Sequence, residues 1–115
     1  MKFAPILLCL LLLAPAPAFA APISYAQAGS HIGETVAVEG VVKEVFTTRG
    51  GTIFLDMGAP YPNNAFVGVI FRDYASEMGD VSGLTGKTVD LSGKITLYRG
   101  KPQIILKSRN QLRVR

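Results

Sequence analysis

Hydrophobic and polar positions alternate over much of this chain, and the alternation predicts strands. Residues 35–46 are rich in β-branched side chains and largely alternate, from Thr35, Val36, Ala37 and Val38 to Val45 and Phe46. They predict one long first strand. Gly40 in its middle predicts a bulge or sharp coil. Thr47 to Gly51 reads as a turn, and residues 52–57 follow as a second strand. There Ile53, Leu55 and Met57 share one face and Phe54 and Asp56 the other. The charge of Asp56 assigns that second face to water, which makes Phe54 an exposed ring. A loop carrying Pro60, Tyr61 and Pro62 leads to a third strand over residues 65–72. Both faces of this strand are apolar, Phe66, Gly68 and Ile70 against Val67, Val69 and Phe71, so alternation alone does not say which is inside.

The period then changes. Residues 73–78 favour helix, with Asp73 as a cap and Gly79 as a stop. A glycine-containing linker over 80–86 leads to a fourth strand, 88–98, in which Val89, Leu91, Ile95 and Leu97 alternate with polar residues around Gly93. Arg99, Gly100, Lys101 and Pro102 read as a tight turn, residues 103–107 as a fifth strand, and residues 111–115 as its continuation or a short edge. Upstream, residues 24–31 read as a short N-terminal helix capped by Ser24. Residues 33–40 and 86–93 echo each other, each with a glycine, a charge, Thr-Val, alternation and a mid-strand glycine. Two long strands that bend in the same way account for the echo.

The first twenty residues do not fit this scheme. Lys2 precedes an apolar run with Leu10, Leu11, Leu12 and Leu13, then Pro15 and Pro17, then Ala18, Phe19 and Ala20. That is the layout of a secretory signal peptide cleaved after Ala20. The expected division is residues 1–20 as signal peptide and 21–115 as one domain, in the periplasm or outside the cell. The apolar run is about half of the ~20 residues that a spanning helix needs, so no stable membrane span is expected after cleavage. Cys9 is the one cysteine and leaves with the signal. The remaining domain has neither disulfide nor thiol chemistry.

The formal net charge is +4, and its distribution is uneven. Residues 21–86 carry three basic side chains (Lys43, Arg49, Arg72) against seven acidic ones, whereas residues 87–115 carry eight basic ones against Asp90 alone. A basic C-terminal third points to one positive surface and an anionic partner.

The order of three strands, a helix and two strands resembles the OB-fold. The wording of Gly33 to Gly40, of Thr52 to Asp56, of Tyr61-Pro62-Asn63 and of Leu97 to Leu106 is similar to small, secreted bacterial OB-fold domains classed as nucleic-acid-binding-like. The resemblance implies an all-β, five-stranded Greek-key barrel with a short helix between strands three and four. It also implies a ligand face on strands two and three, flanked by the loops after strands one and four. On that face it singles out Arg49, Phe54, Tyr61, Arg72, Tyr98, Arg99 and Lys101 as binding residues. Basic side chains that meet phosphates, beside rings that stack on bases, hold single-stranded nucleic acid without sequence preference. A periplasmic protein, a glycan or a small ligand on the same face is the alternative.

Catalytic provision is poor. His31 is the one histidine and reads as a residue of the helix end. There is no phosphate loop, dinucleotide fingerprint or metalloprotease helix. Staphylococcal-type nucleases use a similar barrel, but their set of acids and arginines around calcium has no counterpart in this sequence. The expectation is a binding module without catalytic residues, metal or cofactor.

Overall fold

The computed structural model describes residues 21–115. The expected signal peptide, with Cys9, lies outside them. Among the described residues seven strands form: β1 (Ile23–Ser24), β2 (Thr35–Thr47), β3 (Ile53–Met57), β4 (Phe66–Ile70), β5 (Thr88–Tyr98), β6 (Lys101–Ile105) and β7 (Leu112–Val114). A short helix, α1 (Ala75–Met78), lies between β4 and β5, and a 3-10 helix spans Tyr25–Ser30 near the N-terminus.

Five of the strands close on themselves. β2 pairs with β3, β3 with β4, β4 with β6, β6 with β5, and β5 returns to β2. Every pairing is antiparallel except β4 with β6. This is the all-β, five-stranded OB barrel, with its helix between the third and fourth barrel strands. β1 and β7 extend the sheet beside β2 and β5.

β2 holds the barrel together because it belongs to both sides. Thr35 to Val41 pair with β5, and Val42 to Thr47 pair with β3. Between the two halves the register slips. Val42 faces Met57 and Glu44 faces Asp56, so Lys43 is one extra residue. A one-residue insertion flips the inward parity of everything after it. Before the bulge Val38 and Val42 point inward and are fully buried. After it Val45 packs on the core, while Glu44 and Phe46 turn outward.

The bulge is therefore at Lys43 rather than at Gly40. Gly40 stays in register opposite Val89. Its lack of a side chain serves packing, since a β-carbon there would stand 2.7 Å from the Met57 Sδ.

The core is continuous. Leu55, Met57, Phe66, Ile70, Leu91, Ile95, Ile104 and Leu106 are fully buried inside the barrel. On β4, Phe66 and Ile70 are the inward pair, which decides the face that alternation left open. Met78, Val81 and Leu84, from the connection between β4 and β5, join the same core. Asp73 does not cap this helical segment: it lies within a 3-10 turn, Arg72–Tyr74, whose N-cap is Phe71. Ser24 does act as expected, its hydroxyl accepting from the Ala26 N–H.

Lys101 and Pro102 belong to β6, so the turn before it contains only Arg99 and Gly100. Both have positive φ, 52° and 78°. This is the backbone twist that a two-residue hairpin favours.

Candidate functional site

The outer face of the barrel is crossed by two rows of side chains. Strand pairing sets Glu44, Asp56, Val67, Gln103 and Thr96 in one row. Phe46, Phe54, Val69 and Ile105 form the next. The loop between β3 and β4 folds over one end with Tyr61, Pro62 and Asn64, and the β5–β6 hairpin faces it with Tyr98, Arg99 and Lys101. Together they enclose a groove of about 640 Å³ lined by Phe46, Phe54, Tyr61, Tyr98, Arg99 and Lys101 above a polar floor of Glu44, Asp56, Asn64 and Gln103.

Five of the seven sequence-predicted residues meet here: Phe54, Tyr61, Tyr98, Arg99 and Lys101. Arg49 and Arg72 do not line the groove. Arg49 lies in the β2–β3 turn, and the Arg72 stem rests against Gly51 of that turn, where a β-carbon would be 2.8 Å from its Cγ. Both stand beyond the Phe46–Phe54 pair. His31 is remote from the groove, at the end of the N-terminal 3-10 helix, with Nδ1 2.9 Å from Glu34.

The rings are well presented. Tyr61 and Tyr98 are mostly exposed, and Phe46 is half exposed. The positive-φ turn carries the Arg99 guanidinium over the Tyr98 ring at 5.2 Å. The Lys101 ammonium lies 5.6 Å from the Tyr61 ring centre. Cations so placed are attracted by the faces of the rings.

The floor is the part that sequence patterning missed. Asp56 does not face water: it is only 2% exposed. The Lys101 Nζ donates to the Pro62 carbonyl at 2.9 Å and to Asn64 Oδ1 at 2.5 Å. An ammonium can only donate, so the Asn64 oxygen must face Lys101 and its NH2 must face Asp56. That NH2 donates to Asp56 Oδ1 at 2.7 Å. The other oxygen, Oδ2, is buried without a hydrogen-bond partner among the described residues.

The Asp56 pKa is raised from 3.8 to about 6: burial is the largest cause, the neighbouring Glu44 adds to it, and Lys101 and the Asn64 hydrogen bond oppose them. Glu44 spans toward the lid of the groove, its Oε1 accepting from the Tyr61 N–H at 3.3 Å. The groove therefore has a cationic, aromatic rim and a floor rich in acceptors.

Part of the basic C-terminal third is engaged in contacts within the fold. Asp90 on β5 is fully buried. Arg113 holds its Oδ2 at 2.8 Å and Arg115 at 3.0 Å. The Arg109 guanidinium donates to the Met78 carbonyl at 2.7 Å. Three of its arginines are thus tied to acceptors of the fold while remaining partly exposed. Among the described residues, no three of His, Cys, Asp and Glu are grouped so as to hold a metal ion. No helix among them is long and apolar enough to cross a membrane.

No protein-family model matches the chain, and no curated protein matches it. Among solved structures, one match is a chain of Leishmania major Friedlin described as an aspartyl-tRNA synthetase. The TM-score is 0.55 at 10% identity, over 86% of this chain and 22% of that one. The likeness is one of fold, and this chain spans less than a quarter of that protein's length.

Proposed function

We propose that the protein is an exported, non-catalytic module that binds single-stranded nucleic acid in the groove between the β3–β4 loop and the β5–β6 hairpin. One observation carries the reading: four rings, Phe46, Phe54, Tyr61 and Tyr98, line a single groove together with Arg99 and Lys101. Each base stacked on such a ring contributes about 1–3 kcal/mol, and every base has a face to stack. The solved-structure likeness to a chain described as an aspartyl-tRNA synthetase supports the reading at the level of fold.

The acid at the floor orients the strand. Phosphates are repelled by Glu44 and Asp56 and attracted by Arg99, so the backbone runs along the rim and a base points inward. Two rim cations neutralise few phosphates, so binding is driven more by stacking than by charge.

Fluorescence anisotropy with a labelled thymidine hexamer tests this. The log–log salt slope for single strands is about −0.7 per neutralised phosphate, so two contacts predict about −1 to −2. Alanine at Tyr61 or Tyr98 should weaken binding about tenfold, as loss of one stacked base implies. Absence of binding at low salt overturns the reading.

The acceptor-rich floor favours a second reading, a glycan-binding module in which hydroxyls donate to Glu44 and sugar faces lie on the tyrosines. Binding of a maltohexaose probe with none of the hexamer would select it.

A further inference from the structure

The groove floor offers acceptors in a particular arrangement. Glu44 and Asp56 are directly opposed across β2 and β3. Asp56 is buried, and its Oδ2 has no hydrogen-bond partner among the described residues. Its other oxygen is already committed to Asn64. Glu44 has one oxygen engaged with the Tyr61 N–H. Gln103, next but one along the same row, lines the groove and gives its amide N–H to Thr96 at 3.3 Å. The amide donors of the floor, on Asn64 and Gln103, are already engaged with Asp56 and Thr96.

From this juxtaposition we propose that the groove is selective for guanine: the N1–H and N2–H2 edge of one unstacked guanine base donates to the Glu44 carboxylate, with the Asp56 carboxyl directly behind it. The inference rests on the single-strand reading above and adds a base preference to it.

The chemistry separates guanine from its competitors. Single-stranded recognition reads the edges of splayed bases by hydrogen bonds. Guanine alone carries two adjacent donors on its pairing edge. Adenine presents one donor beside an acceptor, cytosine one donor beside two acceptors, and thymine one donor between two acceptors. An acceptor of any of these facing Glu44 would be repelled. The O6 acceptor of guanine has its own partner type at the rim, where Arg99 and Lys101 lie.

Two opposed carboxylates also repel one another across the strand pair. A ligand with two donors relieves that repulsion, whereas one with an acceptor adds to it. The flanking Tyr61 and Tyr98 supply faces for the ring to stack on.

The test uses thymidine hexamers with one central deoxyguanosine, deoxyinosine or deoxyadenosine, titrated into the whole protein at pH 7.5. Deoxyinosine lacks only the N2 amino group. The deoxyguanosine hexamer should bind roughly tenfold tighter than the deoxyadenosine one, with deoxyinosine between, as discrimination by a bidentate contact implies. Glu44→Gln, which replaces one acceptor oxygen with a donor, should bring the guanine-to-adenine ratio close to one. Its folding is checked by its melting curve.

Equal affinity for the three hexamers overturns the guanine preference and leaves single-strand binding in place. Binding to none of them removes both. A guanine preference unchanged in Glu44→Gln overturns the assigned contact. Displacement of the guanine hexamer by maltohexaose, without any base preference, shows that the floor serves sugar hydroxyls instead.

Discussion

Asp56 on β3 faces Glu44 on β2 across the outer surface of the barrel, and Asp56 is buried there with one oxygen that has no hydrogen-bond partner among the described residues. Two acids in register, one of them buried, make a costly arrangement for a neutral solution. Nothing in the packing of the core requires it, since Leu55 and Met57 on the same strand face the other way. A strongly shifted acid in a cleft is a mark of a site.

The cost has a definite pH dependence. The folded-state pKa of Asp56 is raised to about 6 from 3.8. Between those values the folded chain binds the proton more tightly than the unfolded chain. Stability from this group is therefore full below pH 4 and falls as the pH rises through 6. A shift of two units corresponds to roughly 3 kcal/mol. Asp56→Asn keeps an oxygen for Asn64 and removes the titration. The stability of Asp56→Asn relative to the parent should rise by about 2–3 kcal/mol between pH 4 and pH 7.5. Urea unfolding of both proteins at several pH values measures it. A stability difference that does not change with pH would show that Asp56 is not a strained acid.

Arg99 separates stability from binding. It has φ of 52° in a two-residue hairpin, a conformation that costs a non-glycine residue about 1–2 kcal/mol. Asparagine tolerates that region and is preferred before glycine in such turns. Arg99→Asn should raise stability by up to about 1 kcal/mol. It should also weaken hexamer binding and lower the salt slope by about 0.7, the share of one phosphate contact. Thermal melts and the anisotropy titration read the two effects, and a variant that both melts lower and binds as tightly as the parent contradicts the assignment.

The fold was legible because strand alternation was regular. β5 has the bounds that Val89, Leu91 and Ile95 predict, and Phe54, Tyr61, Tyr98, Arg99 and Lys101 meet as the OB ligand face implies. The groove floor was not legible for identifiable reasons. Alternation puts Asp56 on the outer face, as observed, but outer does not mean wet: the loop carrying Tyr61 and Asn64 covers it. The Asn64–Lys101 bond spans 37 residues, a contact that no local pattern encodes. Glu44 had a signal that went unread. Val36, Val38 and Val42 keep one parity and Val45 breaks it, which marks an inserted residue. Charge counting also does not register that Arg113 and Arg115 pair with the buried Asp90.

That Asp90 cluster is structural, and this can be tested apart from binding. Removing the partners of a buried carboxylate leaves an uncompensated charge and typically costs about 3–5 kcal/mol. The double variant Arg113→Ala with Arg115→Ala should lose that much stability. Asp90→Asn in the same background should recover part of it, because the uncompensated charge is gone. Hexamer affinity at 10 °C should stay within about twofold throughout, since neither arginine lines the groove. A large loss of affinity in a variant that is still folded would place the ligand on the C-terminal edge instead.

The bulge at Lys43 makes the sharpest prediction, because it concerns one residue whose side chain does little. Lys43 is exposed, so Lys43→Ser should change stability by no more than about 0.5 kcal/mol. Deleting it tests the same point. β2 is anchored by its pairing with β5 from Thr35 to Val41 and cannot slide as a whole. Without the extra residue Glu44 follows Val42 directly, and plain alternation then keeps Glu44 and Phe46 outward and Val45 inward, opposite Asp56, Phe54 and Leu55. The deletion should therefore still fold cooperatively and keep its groove, losing no more than about 3 kcal/mol from the altered local twist. Circular dichroism melts of the two variants and the hexamer titration decide it, and a deletion variant that no longer folds would mean that Lys43 is not the extra residue.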